Sequence, residues 1–331
     1  MRFGIYGCRH AHIAEFVDEM LKLGHEFVGI YETELDIAKG MAEKYRVPLF
    51  DRGEDLFKLK PDVIGTSAVN NRKIDIVELC NQQGIHVMAD KPIVTSREGY
   101  ARLEKVIRQG RIQVGMMLTE RFNPPIYALW KMIREGRLGQ VVSFTIMKPH
   151  KLLEKKRAPW HFSKEENGGI AIDLLIHDID LLRWFTGSEL DSCSGYIKKT
   201  AYPQYETFYD SVNAVIKMKN GVVATLEANW WMPDSYFTFG DGRIFCVGTQ
   251  GRVEVRTTGD CQAKGEPFAL LIRDTETYIR CEDVAVPTTL IQDFINRIEG
   301  RKDVIISGED VLMSSLAAIE IDESLEEVRL C

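Results

Sequence analysis

No apolar run in this sequence approaches the roughly 18 residues that cross a bilayer, so no membrane-spanning helix is predicted. Positive charge is not in excess either. The 42 lysines and arginines face 49 aspartates and glutamates, and the formal net charge of -7 argues against nucleic acid or an acidic membrane surface as the main partner. The cysteines, Cys8, Cys80, Cys193, Cys246, Cys261, Cys281 and Cys331, are odd in number and form no Cys-x-x-Cys pair. Neither a structural zinc site nor a disulfide framework is indicated, and a reducing cytoplasm is the expected compartment. Residues 1–7 read as a strand and not as a signal peptide, because no long apolar stretch or cleavage site follows them. Internal repeats, low-complexity tracts and long linkers are missing as well.

What is present is ample core material, 45% hydrophobic residues, in a chain of 331 that is too long for one ordinary core. Two domains are expected, divided at 1–121 and 122–331. Over the first 120 residues strand and helix signals alternate: strands at 2–6, 27–31, 62–66, 85–89 and 112–116, helices at 11–23, 35–45, 73–83 and 96–109. Gly84 and Gly110 stand where helices commonly stop. Repeated βα units of this length predict a parallel, doubly wound sheet. After Arg121-Phe-Asn-Pro-Pro125 the rhythm changes. A helix at 126–135 precedes strand-like runs at 141–147, 211–218, 222–230, 243–247 and 252–256, separated in part by turns such as Lys219-Asn220-Gly221. Helices at 290–299 and 309–328 close the chain. This half reads as an α+β domain on a large, mainly antiparallel open sheet.

Two places carry candidate chemistry. The first βα turn, Gly7-Cys8-Arg9-His10-Ala11-His12, occupies the position of a Gly-x-Gly-x-x-Gly dinucleotide turn but keeps only its first glycine. Arg9 can supply charge towards a phosphate, and His12 can line a cofactor cleft. His10 and His12 also raise a metal, but two histidines in one turn without a third nearby ligand make no site, so none is predicted. Glu32 ends the second strand, where an acidic side chain accepts hydrogen bonds from ribose hydroxyls. The run Glu32-Thr-Glu34-Leu-Asp36 has no adjacent Arg or Lys for a 2′-phosphate, which favours NAD over NADP.

The second place is a helix expected at 170–186, apolar almost all round and therefore buried. Asp173, His177 and Asp180 fall on one face of it at i, i+4 and i+7, with Trp184 on the same stripe. Buried carboxylates are costly unless paired or used. A catalytic pair, a metal site and a buried hydrogen-bond network all remain open on spacing alone. A basic loop, Lys148 to His161 with Trp160 in it, precedes this helix and suits an anionic substrate or a sugar face as well as it suits a solvated surface.

Gly84-Ile-His-Val-Met-Ala-Asp90-Lys91-Pro92 resembles the Gly-Lys-His-Val-Leu-Cys-Glu-Lys-Pro segment of the glucose–fructose oxidoreductase / inositol dehydrogenase / rhizopine catabolism (Gfo/Idh/MocA) family. Arg121-Phe-Asn-Pro124 resembles that family's domain junction, and the pattern from Asn167-Gly-Gly through Asp173, His177, Asp180 and Trp184 to Gly187 its active-site helix. Gly248-Thr-Gln-Gly251 recurs in the later sheet in the expected order. The resemblance implies a Rossmann domain and a sheet domain, and hydride transfer between a nicotinamide cofactor and a secondary alcohol of a sugar, polyol, cyclitol or sugar acid. It implies Lys91, Asp173 and His177 as catalytic residues and Gly7, Arg9, His10, His12, Glu32, Thr66, Asn70, Asp90 and Lys91 at the cofactor. Lys91, Arg121, Trp160, Asp173 and His177 are expected at the substrate. Asp90 replaces the usual Glu, and the segment 67–73 has lost most of the family's Thr-Pro-Asn and following His. A catalytically silent NAD- or sugar-sensing regulator, and an NAD-assisted glycoside-cleaving enzyme, are the competing functions. A homodimer or homotetramer is the expected assembly.

Overall fold

The structure, a computed structural model, describes residues 1–259, 266–274, 276–281 and 284–328, the run 276–281 by its backbone alone. Cys261, Cys331 and the side chain of Cys281 lie outside the described residues; Cys8, Cys80, Cys193 and Cys246 are free thiols. The chain divides into two compact units. The first comprises residues 1–117, 165–168 and 288–316, and the second 118–164, 169–287 and 317–331. The boundary thus falls at 117/118, and each unit is assembled from more than one stretch of sequence.

Six parallel strands form the core of the first unit: β1 (Arg2–Cys8), β2 (Glu26–Tyr31), β3 (Leu49–Phe50), β4 (Val63–Ser67), β5 (His86–Ala89) and β6 (Val114–Met116), in the order β3-β2-β1-β4-β5-β6. This is the doubly wound order, and it reverses direction between β1 and β4. β1 and β4 are buried almost throughout, as strands covered on both faces must be. The helix Ile13–Lys22 lays Ile13, Phe16, Val17 and Met20 on the sheet. The Phe16 ring meets Phe3 edge-on at 5.6 Å and runs so close to Gly65 that a Cβ there would lie 2.5 Å from it. Each such phenylalanine contributes about 1.5–3 kcal/mol of burial. The helix Arg97–Gln109 starts at Ser96, whose hydroxyl accepts from the Gly99 amide. The helix Leu290–Ile298 belongs here as well: Phe294 packs at Gly115, and Arg297 donates to the Val114 carbonyl at 2.6 Å.

Nine strands form the second sheet: β7 (Val141–Pro149), β8 (Leu190–Lys198), β9 (Ser211–Met218), β10 (Val223–Asn229), β11 (Arg243–Gly248), β12 (Gly251–Arg256), β13 (Phe268–Arg273), β14 (Glu276–Cys281) and β15 (Leu325–Val328). Their order is β14-β13-β12-β11-β7-β10-β9-β8-β15, antiparallel except for β7 with β10 and β8 with β15. Burial alternates along β9 and β10, the signature of a sheet with one covered face. Helices cover that face; Phe185, on the helix Ile176–Thr186, stacks on Phe144 at 5.5 Å. Val142, Tyr196, Val215, Val223 and Val247 are exposed. The expected helix over 309–328 ends at Ser324, and the last four residues form β15. No helix of the described residues is long and apolar enough to cross a membrane.

Candidate functional site

In the first unit a cavity of about 440 Å³ opens at the C-terminal ends of β1, β2 and β4, the switch point of the sheet, lined among others by Tyr6, Gly7, Arg9, Tyr31, Glu32 and Ile76. Gly7 must be glycine twice over. Its φ is +87°, and a Cβ would lie 2.7 Å from that of Ala68. The buried Glu32 carboxylate accepts from the Cys8 amide at 2.7 Å and the Glu34 amide at 3.0 Å, so it braces the turn to the end of β2. The sequence run around Glu32 holds no basic neighbour, but the fold brings one. Arg9 Nη1 lies 3.1 Å from Glu34 and 3.7 Å from Glu32, its charge answered by both carboxylates. The open glycine backbone, the cavity and the acidic rim fit the adenosine half of a dinucleotide.

His10, His12, Thr66, Asn70, Asp90 and Lys91 do not line this cavity. Ser67, at the end of β4, holds the turn by accepting the Arg9 amide on its carbonyl and donating its hydroxyl to the His10 carbonyl. His10 and His12 then converge on Asp90: their Nδ1 atoms lie 3.0 and 3.1 Å from its two carboxylate oxygens. The third group that the turn lacks in sequence is therefore supplied 78 residues away. Burial alone would raise the Asp90 carboxyl, but Lys73 and the two imidazoles outweigh it and hold it well below the usual range. Burial pushes the His10 imidazole down.

Lys73 was not singled out by sequence. Fully buried, it donates to Asn70 Oδ1 at 2.8 Å and to the carbonyls of Asp90 at 2.9 Å, Lys91 at 3.3 Å and Pro92 at 3.1 Å. It clamps the segment that presents Lys91, whose bond to Pro92 is cis. Asn70 also donates to the Asn167 carbonyl at 2.8 Å, so its amide is engaged at both ends. Thr66 is fully buried and accepts the Asp90 amide on its carbonyl. A signal for Lys73 did exist: a cation on the first turn of a helix opposes the helix dipole and calls for another reason to be there.

In the second unit Asp173 sits in a π-helical turn, Ala171–Leu175, that runs into the α-helix carrying His177. Such π-bulges are frequent at functional sites. Both side chains are buried. Of the basic loop, Arg157 turns inward: its guanidinium lies 5.3 Å from the Trp230 ring and 5.7 Å from that of Phe239, and its Nε donates to the Leu152 carbonyl at 3.0 Å. Burial lowers its pKa and the Asp173 charge opposes this, which makes Arg157 a cation that Asp173 feels. Trp160 is buried, with no partner for its indole Nε1 among the described residues.

Arg121, expected at the substrate, pairs with the helix that carries His177. It is 1% exposed, donates to both oxygens of Asp180 at 2.8 and 2.7 Å, and lies over the Trp184 ring at 5.3 Å. Asp180 and Trp184 thus anchor the helix to Arg121. Next to them runs a charged row of which the sequence had offered only Lys148, in the basic loop: Lys148 pairs with Glu120 and, at 2.9 Å, with Asp178. The row lines a second cavity of about 490 Å³ together with His150 and Arg243. Burial pushes the Asp178 carboxyl up to about 7, with Lys148 opposing and Glu120 adding to it.

Two family models match this chain. One, the NAD-binding Rossmann fold of the oxidoreductase family GFO_IDH_MocA, covers residues 1–116, and the other, the GFO/IDH/MocA C-terminal domain, covers residues 126–254. The chain belongs to the Gfo/Idh/MocA family. It is similar to the scyllo-inositol 2-dehydrogenase (NAD(+)) of Bacillus subtilis, 29% identical over 72% of this chain and 67% of that one. It is similar also to the myo-inositol 2-dehydrogenase of Thermotoga maritima, 24% identical over 99% of this chain and 97% of that one. A solved structure from Erwinia carotovora atroseptica matches with a TM-score of 0.91 over 99% of this chain and 100% of that one, at 21% identity, a likeness of fold. This Gfo/Idh/MocA member is accordingly an oxidoreductase with a Rossmann fold that takes a nicotinamide nucleotide.

Proposed function

We propose that this protein oxidises a secondary alcohol of a sugar, polyol, cyclitol or sugar acid with NAD. The observation that carries the reading is the buried pair of Asp173 and His177 at a π-to-α junction, with Arg157 as a cation whose charge Asp173 feels. Nicotinamide, when bound, supplies the hydride acceptor. His177 takes the hydroxyl proton, since an imidazole titrates near neutrality. Asp173, one turn earlier, orients the imidazole and favours the imidazolium that forms. Lys91 donates to the reacting oxygen and stabilises its developing negative charge. Arg157 gives the site a positive wall for a carboxylate or a polarised hydroxyl.

NAD is preferred over NADP because Glu32 and Glu34 stand at the ribose end of the first cavity and already neutralise Arg9. A 2′-phosphate would meet two carboxylates. The exposed valines and Tyr196 of the second sheet are the proposed face for a second copy, in a dimer or tetramer.

The test is a panel of inositols, sugars and sugar acids followed by NADH absorbance, with NADP in parallel. Turnover with NAD is expected, and His177→Asn should lower kcat by about 10²-fold or more, with Lys91→Met similar. Undiminished turnover in both variants would sink the assignment of roles.

A further inference from the structure

We propose that His10, His12 and Asp90 form a binding site for one divalent metal ion of the zinc type. Their three donor atoms all lie within 4.8 Å of one another. The imidazole–carboxylate separations of 3.0 and 3.1 Å match the spacing between neighbouring ligands of an ion. With metal–nitrogen and metal–oxygen bonds of about 2.0–2.1 Å, adjacent donors stand about 3 Å apart.

The hydrogen-bond pattern points to the same conclusion. His10 Nδ1 accepts from the backbone amide of His12 at 3.4 Å and also faces Asp90 Oδ2 at 3.0 Å. The first contact needs a lone pair on that nitrogen, the second a proton. A cation among the three donors takes the place of that proton, because the lone pairs of both imidazoles and the carboxylate then face one positive centre and the long amide contact gives way to it.

The surroundings are built as a metal site requires. Asp90 is buried, and its main chain is fixed by Lys73. The His10 backbone is held on both sides by Ser67, through its own amide at 3.3 Å and its carbonyl at 2.9 Å. The two rings pack edge to face at 4.2 Å, so neither swings freely. The His12 side chain remains 41% exposed, which leaves one side of the site open to water or to an oxygen ligand. Two nitrogens and one carboxylate with open positions suit zinc or cobalt better than calcium or magnesium, which prefer oxygen donors. Lys91 lies close enough to His10 to be felt by it, and its positive charge works against the ion; affinity rests on the three direct bonds.

The full chain is stripped with chelator and titrated with Zn²⁺ by calorimetry and with Co²⁺ by visible absorption, and NAD binding is followed separately by fluorescence on the stripped protein. One equivalent per chain is expected, with the d–d bands of a low-symmetry cobalt site. His10→Gln and His12→Gln should each weaken that step at least about tenfold. His12→Gln alters a half-exposed side chain and keeps the fold, as matching circular dichroism would confirm, so the test does not depend on Asp90→Asn remaining stable. Absence of a stoichiometric step, or a step unchanged in both variants, overturns the site. In that case the two imidazoles are simply donors to Asp90. NAD binding by the stripped protein leaves the proposed oxidoreductase reading intact whatever the metal result, and its loss in a protein that still takes one zinc would count against that reading alone.

Discussion

Lys73 in the first unit and Lys148 in the second are both withdrawn from water, yet their partners differ in kind. Lys73 is ringed by an amide oxygen and three peptide carbonyls, and Lys148 lies between the carboxylates of Glu120 and Asp178. The carbonyl oxygens that Lys73 bonds cannot change their charge, so the first arrangement chiefly fixes geometry, and its charge reaches a titrating group only through the nearby Asp90 carboxyl, which it holds down. Glu120 and Asp178 pair with Lys148 directly and can take up a proton, so the second arrangement carries its response to pH in its own contacts. The clamp sets the Asp90-Lys91-Pro92 segment in place; the charged row supports the helix that carries His177 and tunes its surroundings, since Glu120 is felt by His177.

The sharpest way to break this contrast is Lys73→Met. Four oxygens would lose their donor in a dry place, and we expect a loss on the order of 4 kcal/mol in denaturant unfolding at pH 8. A loss below about 1 kcal/mol would make Lys73 a passive filler and end the comparison. Lys148→Met should cost on the order of 3 kcal/mol at pH 8, where Glu120 and Asp178 face each other charged, and less than half of that at pH 5.5, where they share a proton. Adding Asp178→Asn to it should restore stability at pH 8; no recovery would mean that packing, not charge, is what Lys148 provides. The smallest effect expected is that of Asp178→Asn alone. Its carboxyl is raised to about 7 in the native protein, so the native state holds a proton that the unfolded chain has released above its ordinary carboxylate range. Stability of the wild type then falls as pH rises from about 4 to about 7 and is level above that. The variant lacks this descent. Parallel curves of unfolding midpoint against pH would show that Asp178 does not titrate there.

The sequence made most of the first sheet legible because its strands are short apolar runs set off by clear markers, an acidic residue after β2 at Glu32 and a glycine that stops the helix before β5 at Gly84. It made the helix at 171–186 legible because Asp173, His177 and Asp180 stand out on an apolar surface. What escaped has physical reasons. β8 carries Asp191, Ser192, Ser194 and Gly195, a weak strand pattern, so its neighbour β15, Leu-Glu-Glu-Val, passed for the end of a helix. The π-turn leaves no mark on composition. The Lys148, Glu120 and Asp178 row is drawn from three separate elements, and each member alone reads as a surface charge. His10 and His12 were visible as a pair, but Asp90 reaches them only through the pairing of β5 with β4 and of β4 with β1.

The first unit also has an awkward schedule. Its sheet is complete in sequence by residue 117, but Phe294 and Arg297, which pack at Gly115 and bond Val114, belong to a helix made more than 170 residues later. At about 5–20 residues per second, the ribosome leaves that edge bare for roughly 10 to 35 s. During this time Met88 and Gly115 are uncovered, and eight of the nine strands of the second sheet, β7 to β14, are synthesised in between. A fragment cut after residue 121 would keep the edge bare for good, so it should be sticky where the intact chain is not. The far edge of the first sheet therefore gets its cover only when residues 290–298 have emerged.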